Sequence, residues 1–296
     1  MHQVVISIGY GVVTAAILAL GAVGFTLQFG VTNLFNLAFG EVMTLSAFIA
    51  YVVHITAGAN IWVALLAGGA AGAVASLAIS RLIYLPFMRR GASAHVMVIV
   101  TVGVAIIVRN LMLMKASETF YGYRLPPQRS YHVLGMFFSP RQIAIIGIAA
   151  VSLLALHALF KFTRVGKAMR ATSDDASLAR TCGIPTGRVV NIAWLTSGLL
   201  CGLAGVALAI DLGTFDTTTG QSFLLIIVAA AVFGSVGEPY GAMVGALVIG
   251  ISSEIAAIWI PNLKSVVAFA LLVVMLLVRP QGLFGGRVQM RGDVLV

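Results

Sequence analysis

Glu41 stands alone between two stretches, 1–40 and 42–80, that contain no Asp, Glu, Lys or Arg. A carboxylate at the head of so long an apolar run is costly in lipid. It marks either a functional group near a solute path or a helix-start residue favoured by the helix dipole. Glu254 presents a similar choice after the charge-free run 239–253, with Trp259 and Pro261 nearby pointing to a membrane interface. Upstream of Glu41 lie Gly30, Asn33, Asn36 and Gly40. Helix breaks beside such residues expose backbone groups that can meet a solute. This is chemistry of binding, not of bond breaking. No phosphate-cradling glycine loop with its lysine is present, and no nucleophile–base set appears. His2, His54, His95, His132 and His157 lack metal-ligand spacing, and Cys182 and Cys201 form neither a metal pattern nor a disulfide framework. The two cysteines read as small packing residues. The sequence therefore assigns no catalytic residue, no metal and no cofactor.

A second polar concentration runs from Thr163 to Pro185 and carries Arg164, Lys167, Arg170, Asp174, Asp175 and Arg180. It reads as two short helices. Ser173 or Asp174 caps the second, Gly183 ends it, and Pro185 follows. Ala176, Leu178 and Ala179 give that helix a small apolar face. Such a face suits either a groove on another protein or a bed of lipid headgroups.

The elements that must position these groups are membrane helices. Sixty per cent of the 296 residues are hydrophobic and 9% are charged, far below the quarter or so usual in soluble domains. Charge-free runs also cover 91–108, 142–160, 189–210, 217–237 and 265–278. Roughly 20 apolar residues cross a bilayer as a helix, and strand-type alternation is absent. The expected fold is an all-α polytopic integral membrane protein with eight or nine transmembrane helices. The spans fall near 4–28, 37–56, 60–82, 93–114, 142–160, 190–210, 219–236, 240–260 and 263–279. The seventh is short and Gly-bounded, and the first two are interruptible near Gly30 and Asn36, so broken or re-entrant segments are expected. Gly40-Glu41 and Gly237-Glu238 both precede apolar spans, an echo of two pseudo-repeated halves. Glycines four apart, at 198 and 202 and at 237, 241 and 245, suit close helix packing.

The net charge of +9 lies in short loops, so it points to a lipid bilayer and not to nucleic acid. With nine spans, the segments 81–90 and 161–188 and the tail share one side and hold twelve of the 18 Lys and Arg residues. That side is expected to be cytoplasmic, with the N-terminus outside and the C-terminus inside. Segment 109–141, with five basic residues on the outer side, runs against the trend. Its Arg109 and Arg141 sit where snorkelling from span ends is possible.

Four stretches, in order, carry a family resemblance. The loop flank Gly166-Lys167-Ala168-Met169-Arg170-Ala171 resembles the coupling loop of the branched-chain amino-acid (LivH-type) permeases of ATP-binding-cassette importers. The broader importer signature Glu-Ala-Ala-x-x-x-Gly is degenerate here: counted back from Gly183, Ser177 replaces the Glu and Leu178 the first Ala. The stretch from Asn33 to Glu41 resembles the family's Ile-Asn-Phe-Ala-His-Gly-Glu, with Phe39 where His is usual. Residues 233–242 and 279–285 resemble two further family stretches. The resemblance implies one permease domain over 1–296, with a cytoplasmic coupling loop at 163–188. It implies a second homologous permease subunit, two ATP-binding-cassette ATPase subunits and an extracellular or periplasmic solute-binding protein as partners, in the inner membrane. The solutes implied are branched-chain or related amino acids. Urea, amides or aromatic acids remain alternatives within the family, and a secondary transporter or channel is an alternative outside it. Gly166, Arg170, Asp174, Asp175, Ala179 and Gly183 are the expected coupling residues, and Asn33, Asn36, Gly40 and Glu41 the expected path residues.

Overall fold

The computed structural model describes residues 2–116, 120–126, 131–133, 136–260 and 263–284. Arg129, Pro261, Gly285, Arg287 and Arg291, all used above, lie outside them. The nine expected spans correspond to nine apolar helices: α1 (His2–Thr32), α2 (Phe39–Ile55), α3 (Ile61–Ile79), α5 (Ala94–Lys115), α6 (Pro140–Phe162), α9 (Thr186–Leu212), α10 (Thr219–Gly234), α11 (Pro239–Ala256) and α12 (Leu263–Val278). Helix α3 continues through a π turn, Ser80–Tyr84, into the short α4 (Leu85–Arg89). Between α6 and α9 lie α7 (Arg164–Asp174) and α8 (Ala176–Thr181). Among the described residues, strand pairing is limited to a small hairpin, β1 (Tyr131–Val133) with β2 (Met136–Phe138), and an isolated bridge between Tyr121 and Phe215.

Six helical segments are long and apolar enough to cross a membrane: α1, α3 with its extension, α5, α6, α9 and α11. Helices α2, α10 and α12 have 17, 16 and 16 residues. At 1.5 Å per residue they reach about 24–26 Å, short of the ~30 Å hydrocarbon core. Helix α2 begins at the break after α1, and α10 ends at the turn before α11.

The core is built around α1 and α9, the latter apolar on nearly every face and buried over most of its length. Helix α1 packs on α11, α9, α10 and α6, and α3 packs on α9. Backbone approach sets these crossings. A Cβ on Gly198 would lie 2.5 Å from the Gly72 carbonyl oxygen, and one on Gly202 2.7 Å from that of Gly68. The expected small-residue pair on α9 is therefore matched by an identical spacing on α3. Gly241 and Gly245 likewise pack on Gly234 and Ala230 of α10. Gly237 does not belong to that stripe. It sits in the turn between α10 and α11 at φ +98°, in the left-handed region that favours glycine.

The end of the bundle that carries the loops after α5 and α9 is closed by aromatic rings. Tyr121 and Phe215 exchange backbone hydrogen bonds of 2.8 Å, pinning the loop after α5 to the loop after α9. The Phe48 ring packs edge-on against both rings, each at 5.0 Å. In the same loop, burial alone would raise the Asp216 carboxyl, but hydrogen bonds from Thr219 and Thr218 hold it below its ordinary range.

Substitution at the α3–α9 crossing separates packing from propensity. Gly198→Leu is expected to abolish a monodisperse folded species, whereas Gly147→Leu, where an added Cβ meets nothing, is expected to be tolerated. Fluorescence-detected size-exclusion chromatography of tagged variants measures both.

Candidate functional site

The chain leaves helical pairing between α1 and α2, and side chains of the break and of neighbouring helices meet part of the freed backbone. Asn33 ends α1 at φ +50°, and its N–H still donates to the Phe29 carbonyl at 2.7 Å. Short polar side chains tolerate that left-handed turn better than most. Asn36 is buried; its Oδ1 accepts from the Ala38 N–H at 3.1 Å and from the Tyr84 hydroxyl at 2.9 Å. Thr101 of α5 donates to the Phe35 carbonyl at 3.3 Å, and Cys201 of α9 donates its S–H to the Phe39 carbonyl at 3.3 Å. Tyr84 owes its position to the π turn, a feature often found at functional sites. Trp194 packs on its other side, ring centres 5.4 Å apart.

Helix α2 then opens against α10. Gly40 and Gly220 touch backbone to backbone, and the Gly220 N–H donates to Thr44 Oγ1 at 3.0 Å. Glu41 lies in the first turn of α2 with only 1% of its surface exposed, and its Oε2 has no hydrogen-bond partner. The positive charge acting on it is Arg109 of α5, whose guanidinium donates to Gln221 Oε1 on α10 at 3.3 Å. The four expected path residues are thus gathered at one break. Asn33 alone of the four borders an open space, a cavity of about 1390 Å³ shared with Arg81, Arg89, Asp174, Asp175 and Arg180. Asn36, Gly40 and Glu41 are closed off. Glu254 resolves differently: it pairs with Lys264 at 2.7 Å and accepts from Thr14 at 2.9 Å, tying α11 to α12 and α1.

Residues 163–185 form the two expected helices. Thr163 caps α7 by accepting from the Gly166 N–H at 3.0 Å. Gly166 is buried where α7 folds back on α6, and an added Cβ would strike the Leu159 and Phe160 backbone. Two expectations need correction. The cap of α8 is Asp175, whose Oδ1 accepts from Ser177 and Leu178 N–H at 2.8 and 2.9 Å. Helix α7 continues through Ser173 and Asp174, so neither of them serves as that cap; Ser173 instead donates its hydroxyl to the Gly30 carbonyl at 2.7 Å. Ala179 faces inward at 4% exposure, while Leu178 presents the apolar surface at 59%. Gly183 does end α8 as expected, at φ +82°, with the Ile184 N–H reaching back to the Ala179 carbonyl. Arg170, Asp174 and Asp175 are exposed.

Helix α7, the Gly237 turn and residues 279–284 come together near the end of α1. Gly30, at the end of α1, packs on the Gly237 turn and on Ser173 of α7. Leu283 and Phe284 N–H donate to the Phe233 and Gly234 carbonyls at 3.0 and 3.2 Å, zipping 279–284 onto the end of α10. Sequence reasoning missed Tyr84 and Thr101, and gave Ser173 only a capping role. None stands out by type; only Tyr84, in the basic end of the third span beside Pro86, sat near a visible signal.

Fold and site define a polytopic helical membrane protein with a broken helix pair at its centre and a paired-helix loop at one end. The chain belongs to the family described as branched-chain amino acid transport system / permease component, whose model matches residues 7–276. It is 28% identical over 291 residues to the high-affinity branched-chain amino acid transport system permease protein LivH of Escherichia coli K12, covering 93% of each chain. It is 28% identical to BraD, the corresponding permease protein of Pseudomonas aeruginosa, over 93% of this chain and 94% of that one. Among solved structures it shares the fold of PsaBC from Streptococcus pneumoniae in complex with Fab, with a TM-score of 0.53 and 13% identity over 92% of this chain and 91% of that one.

Glu41→Gln is expected to express and transport better than Glu41→Lys. An amide keeps the hydrogen-bonding capacity of a buried side chain. A lysine adds up to about 2–3 kcal/mol of insertion cost at helix centre and sets a cation in the field of Arg109. Equal expression and uptake in the two variants would place Glu41 outside the packed interior.

Proposed function

We propose that this chain is a membrane permease subunit of an ATP-binding-cassette importer that carries branched-chain or related amino acids across the inner membrane. It works as a single transmembrane domain with residues 163–188 as its coupling loop. A second homologous permease pairs with it, two ATPase subunits dock on the loop side, and a solute-binding protein delivers solute from outside. The named relatives support the solute class.

The observation that carries the mechanism is the tether of the loop to the break. Helix α7 is held on α6 through Gly166 and on the end of α1 through the Ser173–Gly30 hydrogen bond. Displacing α7 and α8 therefore displaces the last turn of α1, Asn33 and the entry into α2. In the proposed cycle, closure of the ATPase pair moves the loop, and the break between α1 and α2 absorbs the motion. Leu178 supplies the apolar docking contact, flanked by Arg170, Asp174 and Asp175. Gly183 sets the chain direction after α8, and Ala179 holds α8 against the rest of the loop.

Two experiments test this reading. Native Cys182 is exposed and Cys201 is buried. With the N-terminus outside, a membrane-impermeant thiol reagent applied to cells is expected to spare Cys182 and to label Thr214→Cys in the exposed loop after α9. The reverse pattern overturns the orientation. Second, Leu178→Asp and Gly183→Val are expected to leave the chain inserted and folded but to lose ATPase pull-down, binding-protein-stimulated hydrolysis and leucine uptake. A β-branched residue fits the left-handed geometry of position 183 poorly, and a carboxylate buried unpaired in a docking groove is costly. Normal hydrolysis and uptake in both variants would remove the loop from coupling, and uptake of labelled urea or an aromatic acid in place of leucine would reassign the solute.

A further inference from the structure

Two cavities on the outside of the bundle meet at one pair of side chains. The first, about 470 Å³, is a groove between α1, α6 and α11 lined by small and apolar residues such as Ala16, Ala150, Leu153, Met243 and Leu247. The second, about 540 Å³, lies beneath α7, between the ends of α1 and α6 and the turn before α11. His157 and Tyr240 line both. The Tyr240 hydroxyl and His157 Nδ1 are hydrogen-bonded at 2.8 Å, forming the neck between the compartments.

The dimensions are those of one lipid leaflet. Along α6 the groove runs from Ile146 to His157, about 16 Å at 1.5 Å per residue. Half of the ~30 Å hydrocarbon core is about 15 Å. Below the neck, polar lining is confined to the neck residues themselves. Above it, charge appears at once: Lys161 one turn beyond His157, then Arg170, Asp174 and Glu238. Among the described residues none of these four is ion-paired, and the Lys161 ammonium lies 5.5 Å over the Phe162 ring.

The charge pattern selects the headgroup. Two cations and two carboxylates lining one compartment match a group that carries both a phosphate and an amine. A net-anionic headgroup would leave Asp174 and Glu238 facing negative charge. A quaternary choline offers them no N–H to donate. We propose that this crevice binds one glycerophospholipid with a primary-amine headgroup, of phosphatidylethanolamine chemistry. One acyl chain lies in the α1–α6–α11 groove, the phosphate by Lys161 and Arg170, and the ammonium by Glu238 and Asp174. Such a lipid would touch α7 directly, placing bilayer composition in contact with the loop. The inference needs only that the chain spans a bilayer and stands whether or not the importer reading does.

The test is native mass spectrometry of the chain, purified with whatever subunits accompany it, after equilibration with vesicles of equal parts phosphatidylethanolamine, phosphatidylglycerol and phosphatidylcholine. One phosphatidylethanolamine per chain is expected to survive detergent washing that strips the other two. Lys161→Gln is expected to lower its retention about fivefold, the factor for one lysine near the membrane surface. Ala150→Trp, which fills the groove from an exposed position, is expected to abolish retention with an unchanged size-exclusion profile. Retention without headgroup preference, preference for phosphatidylglycerol, or indifference to Ala150→Trp would overturn the proposal. So would a cross-link from Ala150→Cys to a second permease, which would show protein in the groove. Leucine uptake is measured separately, so loss of the lipid site and loss of the importer reading are distinguishable.

Discussion

Backbone that leaves helical pairing within a membrane must find partners from its own protein, because lipid offers none. The six residues between α1 and α2 impose that requirement on everything around them. Within the break the Asn36 side chain takes the Ala38 N–H and Thr101 of α5 reaches the Phe35 carbonyl, while the Tyr84 hydroxyl after α3 holds the Asn36 side chain and Cys201 of α9 donates to the Phe39 carbonyl at the start of α2. Each helix that supplies a donor is thereby fixed in rotation and depth. The apolar residues that cover the break, including Leu34, Ala38, Met97 and Trp194, form a packing cluster separate from the main core. The break is thus a positioned structure with its own core, and its geometry depends on helices far apart in sequence.

This arrangement divides the molecule into stiff and yielding parts. Where α3 crosses α9, glycine backbones are in contact, with the Ser46, Ser76 and Val206 side chains packed tightly beside them. Close-packed contacts of that kind do not deform gradually. At the end of α1, by contrast, the tether to α7 is one hydroxyl–carbonyl bond and a glycine contact, and the next residues include a left-handed asparagine bordering a large cavity. The zipping of 279–284 onto the end of α10 adds a second connection to the same end, so α10 and the Gly237 turn move with their neighbours.

The apolar runs made nearly all of the helical architecture legible, because charge-free length is a one-dimensional property that survives without tertiary information. Span ends near Gly30 and Asn36 were legible for the same reason: glycine and asparagine have intrinsic backbone preferences. What stayed hidden was decided across the fold. Ser173 had the composition of a cap, yet α7 runs through it because its hydroxyl is captured by Gly30, 143 positions away. Asp175 became the cap in its place. Ala179 and Leu178 were equivalent apolar neighbours on a short helix until packing turned one inward and the other out. Gly237 fitted a four-residue packing stripe by spacing alone, and only the turn geometry separates it from Gly241. Tyr84 carries no local signal for its role, since the partner that needs it is Asn36, on a different helix pair.

The closed state of Asn36, Gly40 and Glu41 bears on where a solute can pass. The centre of the bundle is filled: an added Cβ at Gly21 would meet Ile227, and one at Gly24 the Ser197 carbonyl and Leu200. Glu41 and Gln221 lie instead at the openings of two short helices, with Arg109 on the exposed flank of α5 beside them. Helix α5 also turns Ile99, Ile106, Leu111 and Met114 outward. A guanidinium and an amide set among apolar side chains on an outer face are poorly matched to lipid. They are well matched to a seam between two permeases, where water and solute are present. In the proposed importer the path therefore runs along the α2–α5–α10 edge of the chain. Glu41 reaches it only when the break between α1 and α2 moves, which makes the tether from α7 to Gly30 the link between docking on one side and access on the other.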